Sequence, residues 1–430
     1  MKHHGDYVGI FLLRDPVLLV TSPEFARKVL LSDFNYFTDH GIYSNEEVDP
    51  LAANVFFMRG DRWRKLRMKL TPSFTSGKLR AMFHTIVDVG KKLDQYLEAR
   101  CAKVQLIDVK ELLARFLTDV IASWAFGIES NSLNDPQSHF RQMGKQMVNL
   151  PKYKALKMLG VRFNSKHVSD YFISVVQDTM RHRKETNSRR DDFMQLLIDM
   201  MKKTGSNQED GLTFEEIASQ AYIFFFAGFE TSTTTMTCAL HLMAKHPKVQ
   251  HKARQCVKDV LEKYNNELSY DAVNEMEYLG CIISETLRMY PPVASIHRET
   301  TQPYQLANGA IIPKGIGVII SNLAFHYDPE HFPNPYAFKP DRFAGTTDWK
   351  NNFSYLPFGE GPRMCIGMRF ALLQTRLGLA MLLRNYNFTM DSCEAQRPLR
   401  IHPINLMHGP ADEVWLEVKS IKKSRNKQIK

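Results

Sequence analysis

The amino-acid sequence predicts a mainly α-helical protein with a minor β portion, built as a single domain over residues 1–430. Three observations carry this expectation. Hydrophobic residues fill 44% of the positions and charged residues 24%, the balance of a globular chain with a large buried core. Helix-compatible sequence runs unbroken from Thr213 to Lys245, and about 30 residues make a rod of about 45 Å, enough to cross a whole domain. Strand-like sequence is confined to an opening hairpin and one late stretch, with no internal repeat, low-complexity block or domain linker.

The elements follow in chain order. "YVGIFLL" and "PVLLV", divided by Arg14-Asp15-Pro16, predict strand, turn and strand. Ser22-Pro23 supplies an N-cap and a first-turn proline for a helix toward Leu31. Amphipathic patterns predict further helices over 62–70, 78–100 and 107–126, and "NSRR" at 187–190 is a polar connection before another. The long helix opens with a capping box, Thr213 and Glu216, and His246-Pro247 stops it. "GAIIPKGIGVIIS" at 309–321 alternates β-branched residues with Gly and Pro, and "FHYDPEHFPNPYAFKPDRF" is irregular.

A net charge of +10 and a pI of about 9.1 raise the question of nucleic acid. The basic residues are spread along the chain without a nucleic-acid motif, so no such partner is expected. Their densest run, "KSIKKSRNKQIK" from Lys419, reads as a solvated end. The longest apolar run, "AYIFFFAGF" at 221–229, falls far short of the roughly 20 residues a membrane span needs. Six irregularly spaced cysteines with no C-x-x-C pair exclude a disulfide scaffold, a zinc ribbon and c-type haem attachment, and indicate a reducing compartment.

One cysteine stands apart. In "PFGEGPRMCIG", Cys365 lies among Gly359, Gly361 and Gly367, which let the main chain approach a flat ligand, just ahead of the amphipathic "MRFALLQTRLGLAMLL". Loop amides and a helix N-terminus both favour a thiolate there. The other five cysteines read as small hydrophobes.

The order Phe358, Gly361, Arg363, Cys365, Gly367 resembles the haem-thiolate loop of the cytochrome P450 family. "ETLR", with Glu285 and Arg288, and "PDRF", with Arg342, stand in the family's order. The resemblance implies the cytochrome P450 fold, with haem b (iron protoporphyrin IX) between the long central helix and the cysteine loop. Cys365 is then the axial iron ligand, and Glu285, Arg288 and Arg342 form a buried charge network. Trp63 and Arg67 of "DRWRKLR", with Arg298 and Arg363, correspond to haem propionate contacts. Ala227, Gly228, Glu230 and Thr231 of "AGFETS" resemble the oxygen-activation segment, where the helix opens locally and acid and threonine conduct protons. Phe229, Val293, Ser295 and Ile296 are the implied substrate-pocket residues, with Phe56, Phe57 and Leu406 as weaker choices; Tyr222, Phe225 and Phe226 are assigned to packing.

"FNYFTDHG", "KLTPSFTSGKL" and "FFFAGFETS" resemble insect family 6, the detoxification branch. The activity so implied is a haem-thiolate monooxygenase acting on small apolar molecules such as xenobiotics, insecticides and plant toxins, with hormones as a further class. Electrons would come from NADPH through a separate reductase, since no G-x-G-x-x-G or flavin segment occurs here. NADPH-cytochrome P450 reductase and cytochrome b5 are the implied partners, Arg369 a docking residue, and the cytosolic face of the endoplasmic reticulum membrane the implied location. Two departures are noted: the membrane anchor and proline-rich hinge with which microsomal members begin do not occur in this sequence, and the lid segment 141–159 is short. They motivate a competing expectation, a truncated, non-catalytic haem-binding product.

Overall fold

The computed structural model describes residues 5–103, 106–148, 162, 164–202, 211–345, 353–402 and 407–422. Leu406, most of the short lid segment and the end of the basic tail lie outside the described residues. Fourteen α-helices are described: α1 Pro23–Arg27, α2 Gly60–Leu70, α3 Ser76–Cys101, α4 Val109–Ile121, α5 His139–Val148, α6 Lys166–Glu185, α7 Phe193–Lys202, α8 Phe214–Lys245, α9 Pro247–Lys263, α10 Tyr270–Glu275, α11 Glu277–Met289, α12 Asn322–His326, α13 Met368–Asn385 and α14 Ser392–Gln396. The strands are β1 Tyr7–Leu12, β2 Asp15–Val20, β3 Leu106–Asp108, β4 Ile296–Glu299, β5 Tyr304–Gln305, β6 Ile311–Ile312, β7 Gly317–Ile320, β8 Tyr386–Thr389 and β9 Trp415–Ser420.

Local chemistry explains the boundaries. The Ser22 hydroxyl accepts from the Phe25 N–H to start α1, which passes into a π-turn over Lys28–Ser32. Both halves of the Thr213/Glu216 capping box are made at the start of α8. The helix expected from 107 begins two residues later: Ile107 pairs with Leu416 in a sheet ordered β3-β9-β8, and Asp108 caps α4. Asp108 can cap only by leaving helical geometry, and the alternation of its neighbours is too short to announce a strand.

The main sheet has the order β1-β2-β7-β4, with β1–β2 and β7–β4 antiparallel and β2–β7 parallel. It covers a small core of its own, including Leu18, Val20, Phe25, Val318 and Ile320. The large core lies among the helices, and α8 runs through it with most of its side chains buried.

Below this core, α11 carries a closed polar network. Glu285 is fully buried; it accepts from Arg288 Nε at 2.7 Å and Nη2 at 3.0 Å, from Arg342 Nε at 3.1 Å and from the Lys339 N–H at 2.9 Å. Arg288 Nη1 donates on to the His326 carbonyl at 2.8 Å. The His326 ring accepts from the Leu356 N–H at 3.0 Å, so its other nitrogen carries the proton and donates to the Arg288 carbonyl at 3.1 Å. His326 thus ties the charge network to the chain that leads into the cysteine loop.

Burial holds His326 neutral, with its pKa pulled down to about 3. The unfolded chain protonates near pH 6.5, so between those values it binds the extra proton and stability falls as pH drops, by at most about 1.4 kcal/mol per pH unit. The destabilisation caused by His326→Gln should therefore shrink from pH 7 to pH 5 in denaturant titrations, because the variant has no imidazole to protonate.

Candidate active site

The cysteine loop folds back on itself. Gly359 and Gly361 adopt left-handed backbone, φ +67° and +77°. The Met364 N–H donates to the Gly361 carbonyl at 3.0 Å and the Cys365 N–H to the Phe358 carbonyl at 2.9 Å. Gly367 departs from the conformational role expected of it: its φ of −87° suits any residue, and it serves as the residue before α13. Its N–H lies near enough to the Cys365 sulfur to pull the thiol's pKa down. The thiol is accessible, yet burial is the largest influence on it and raises its pKa, opposed by the Gly367 N–H and the charge of Arg67. A sulfur both accessible and desolvated sits in a recess closely surrounded by protein atoms.

Basic groups cluster beside it. Arg363 is buried, donates from Nη2 to the Met58 carbonyl at 2.7 Å and from Nε to the Thr38 carbonyl at 2.8 Å, and lies 4.0 Å over the buried Trp63 ring. Burial lowers its pKa to about 9, with Asp39, 3.6 Å away, raising it and Arg298 and Arg67 lowering it. Arg298 is 3% exposed, its pKa pulled to about 10 by burial, and its Nε has no partner among the described residues. Arg67, on the same face of α2 as Trp63, is lowered by burial and raised by Cys365. His40 donates from Nδ1 to the Phe56 carbonyl, 2.9 Å away, and is held neutral by burial and then by Arg298 and Arg363.

Of these three desolvated arginines, Arg363 has a carboxylate, Asp39, beside it, whereas neither Arg67 nor Arg298 forms an ion pair among the described residues. Unpaired buried cations are costly. The cluster fits a bound group carrying two carboxylates, and the thiol fits its metal; together they match the donor set that haem requires.

On α8, Ala227 is exposed within an otherwise buried stretch, and Thr231 Oγ1, one turn on, donates to its carbonyl at 2.7 Å. The helix passes through this segment without a break, so the local opening expected there is present only as this side-chain bond, which competes for a backbone acceptor. Gly228 packs closely on α4: a Cβ would lie 2.8 Å from Ile121 Cδ1, so a larger residue needs that side chain to shift. Burial raises the pKa of the Glu230 carboxyl, while Arg141 and Lys110 lower it. Phe229 does not face the open interior: it is fully buried and stacked on Phe225 with ring centres 5.0 Å apart, because α8 turns that face into the aromatic core.

The walls are tied together. The chain at 53–58 is strapped to α8 by Gln220, which accepts from the Val55 N–H at 2.9 Å, and to the cysteine loop by Arg363. Among the remaining expected residues, Val293 is exposed, Ser295 and Ile296 half-buried, and Ser295 Oγ lies 2.9 Å from His297 Nε2. Phe56 is exposed beside His40, with ring centres 4.7 Å apart, and Phe57 is buried. Sequence reasoning missed His40, whose only local signal is the left-handed Gly41 beside it.

Fold and site together describe a helical, cofactor-dependent enzyme. A family model described as Cytochrome P450 matches residues 1–413. Cytochrome P450 6A1 of Musca domestica is 38% identical, over 96% of this chain and 85% of that protein. Probable cytochrome P450 6a23 of Drosophila melanogaster is 39% identical, over 97% of this chain and 86% of its own length. The chain belongs to the cytochrome P450 family: it is a haem monooxygenase, an oxidoreductase whose cofactor is haem b, and its similarity is to insect family 6. Membership implies a redox partner. Among the described residues no helix is long and apolar enough to cross a membrane.

Proposed function

We propose that this chain forms a single catalytic domain that oxidises small apolar xenobiotics, insecticides and plant toxins among them, using electrons passed from NADPH by a reductase. The observation that carries the reading is the accessible, desolvated Cys365 thiol beside Arg67, Arg298 and Arg363, in a chain that also holds the exposed Ala227–Thr231 turn. Haem, when bound, supplies the activation of dioxygen, one atom of which enters the substrate while the other leaves as water.

The chain's own residues do the rest. Cys365 would hold the iron as a thiolate, with the Gly367 N–H and Arg67 opposing the cost of burial. Arg67, Arg298 and Arg363, with Trp63 beneath Arg363, would hold the propionates. Burial keeps a proton on Glu230 more readily than on an exposed carboxyl, and Arg141 and Lys110 draw it off, which suits a proton carrier. Thr231 holds its hydroxyl at the Ala227 carbonyl. Val293, Ser295 and Ile296 would border the substrate.

Exposed Arg64, Lys65 and Arg369, with the groove lined by Phe34, Trp63, Met68 and Pro362, suit an acidic electron-donating partner on the cysteine side. NADPH-cytochrome P450 reductase, assisted by cytochrome b5 at the cytosolic face of the endoplasmic reticulum, fits that surface. The test is turnover of a general probe substrate with purified reductase and NADPH. Wild type should form product, and Thr231→Ala should release more hydrogen peroxide per NADPH than wild type, because the group that delivers the proton is lost. A haem-loaded wild type without turnover would leave only haem binding.

A further inference from the structure

The helix that follows Cys365 touches the helix carrying Thr231 through one polar side chain. Gln374, on α13, is fully buried. Its Nε2 donates to the Gly228 carbonyl at 2.9 Å and to Ser232 Oγ at 2.6 Å. Its Oε1 has no partner among the described residues. Burying an amide with one end unsatisfied costs about 1–3 kcal/mol, and an apolar residue of the same shape would avoid it. Packing alone therefore does not account for a glutamine here.

Its targets suggest what does. The carbonyls of Ala227 and Gly228 are consecutive, and each receives a side-chain donor as well as its helical N–H: Ala227 from Thr231 Oγ1, Gly228 from Gln374. Two successive peptides of α8 are thus held, Ala227–Gly228 from within the helix and Gly228–Phe229 from the helix that follows the cysteine loop. Gly228 cannot shift toward α4, where Ile121 closes the space, and Gly378, one turn beyond Gln374 on α13, lies as closely against Met236 and Phe116. Close packing leaves carbonyl tilt as a freedom at these positions, and the Ala227 carbonyl is the one that receives the Thr231 hydroxyl.

We infer that Gln374 is a positioning residue for the monooxygenase reaction: it couples the helix behind the cysteine loop to the Gly228 carbonyl, next along α8 from the Ala227 carbonyl that receives Thr231, and so fixes the Thr231 hydroxyl for proton delivery. This rests on the proposed role of Thr231, and its first readout does not. Gln374→Met keeps the length and removes both donors. In the haem-loaded protein, hydrogen exchange of α8 peptides covering 228–235 should accelerate about three- to tenfold, the worth of one or two buried hydrogen bonds. With reductase and NADPH, peroxide released per NADPH should rise by a similar factor, while the probe substrate's spectral affinity and the reduced, carbon monoxide-bound Soret band stay as in wild type. Gln374→Glu, which burial keeps protonated and able to donate once, should fall between the two, and decides the matter if the Met variant does not fold.

Unchanged exchange in a folded variant overturns the anchoring. Faster exchange with unchanged peroxide yield overturns the positioning role and leaves a structural one. Should Thr231→Ala itself leave the peroxide yield unchanged, the reading of Thr231 fails, and the exchange result still decides whether Gln374 anchors α8.

Discussion

Glu285→Ala is expected to abolish accumulation of haem-loaded protein. The carboxylate is fully buried and receives four donors: two from Arg288, one from Arg342 and one from the Lys339 backbone. Removing it strands the Arg288 guanidinium, itself fully buried, beside Tyr327 and Phe332 with one carbonyl acceptor at good distance. Breaking a buried pair from one side costs about 3–5 kcal/mol, a large part of the 5–15 kcal/mol that typically holds a fold together. The damage also reaches the site, since Arg288 is hydrogen-bonded to His326, which holds Leu356 just before the cysteine loop. Arg342→Ala should cost less, because the Arg342 side chain is partly exposed and water replaces it. Haem absorbance per mole of soluble protein, with unfolding midpoints of the variants that survive, orders the series; Glu285→Ala with wild-type haem content would sink the argument.

Gly361→Ala should be the most damaging single-methyl change in the cysteine loop. A Cβ at Gly361 would fall inside van der Waals contact with the Leu30 carbonyl oxygen, a backbone atom that cannot rotate away. The same residue has φ +77°, where a side chain costs about 1–3 kcal/mol. Overpacking typically adds about 1–3 kcal/mol, so loss of roughly half the stability of an ordinary fold follows. Gly359→Ala separates the two contributions: it has comparable backbone strain at φ +67°, and its nearest neighbours would be 3.9 Å from the new carbon. Denaturant midpoints should therefore place Gly359→Ala well above Gly361→Ala; equal midpoints would show that strain, not the approach to Leu30, sets the cost.

These two cases also show what the sequence could and could not disclose. Glu285 and Arg288 are three apart on one helix, and Thr213 and Glu216 three apart at a helix start, so local spacing reveals both pairs. Arg342 reaches Glu285 from a distant turn and was legible only through the resemblance. The glycines of the cysteine loop looked like openings for a flat ligand, whereas Gly361 is required by the carbonyl of Leu30, a contact between segments far apart in the chain.

Phe229 lies beside catalytic candidates in sequence, yet successive helical residues point about 100° apart, and that rotation carries it into the aromatic core while Ala227 and Thr231 stay on the open side. His40 and Gln374 gain their meaning from partners on other elements, Arg298 and Arg363 for one and Gly228 for the other. No periodicity within their own segments reports such pairings.

The central claim is that the lone thiol at Cys365 is the iron ligand, and ferrous carbon monoxide spectroscopy addresses it directly. Wild type, reduced and exposed to carbon monoxide, should show the red-shifted Soret band of thiolate ligation, and Cys365→Ala should lose that band even where haem is still bound. A Cys365→Ala protein that keeps the red-shifted band would contradict the account, because another group would then hold the iron.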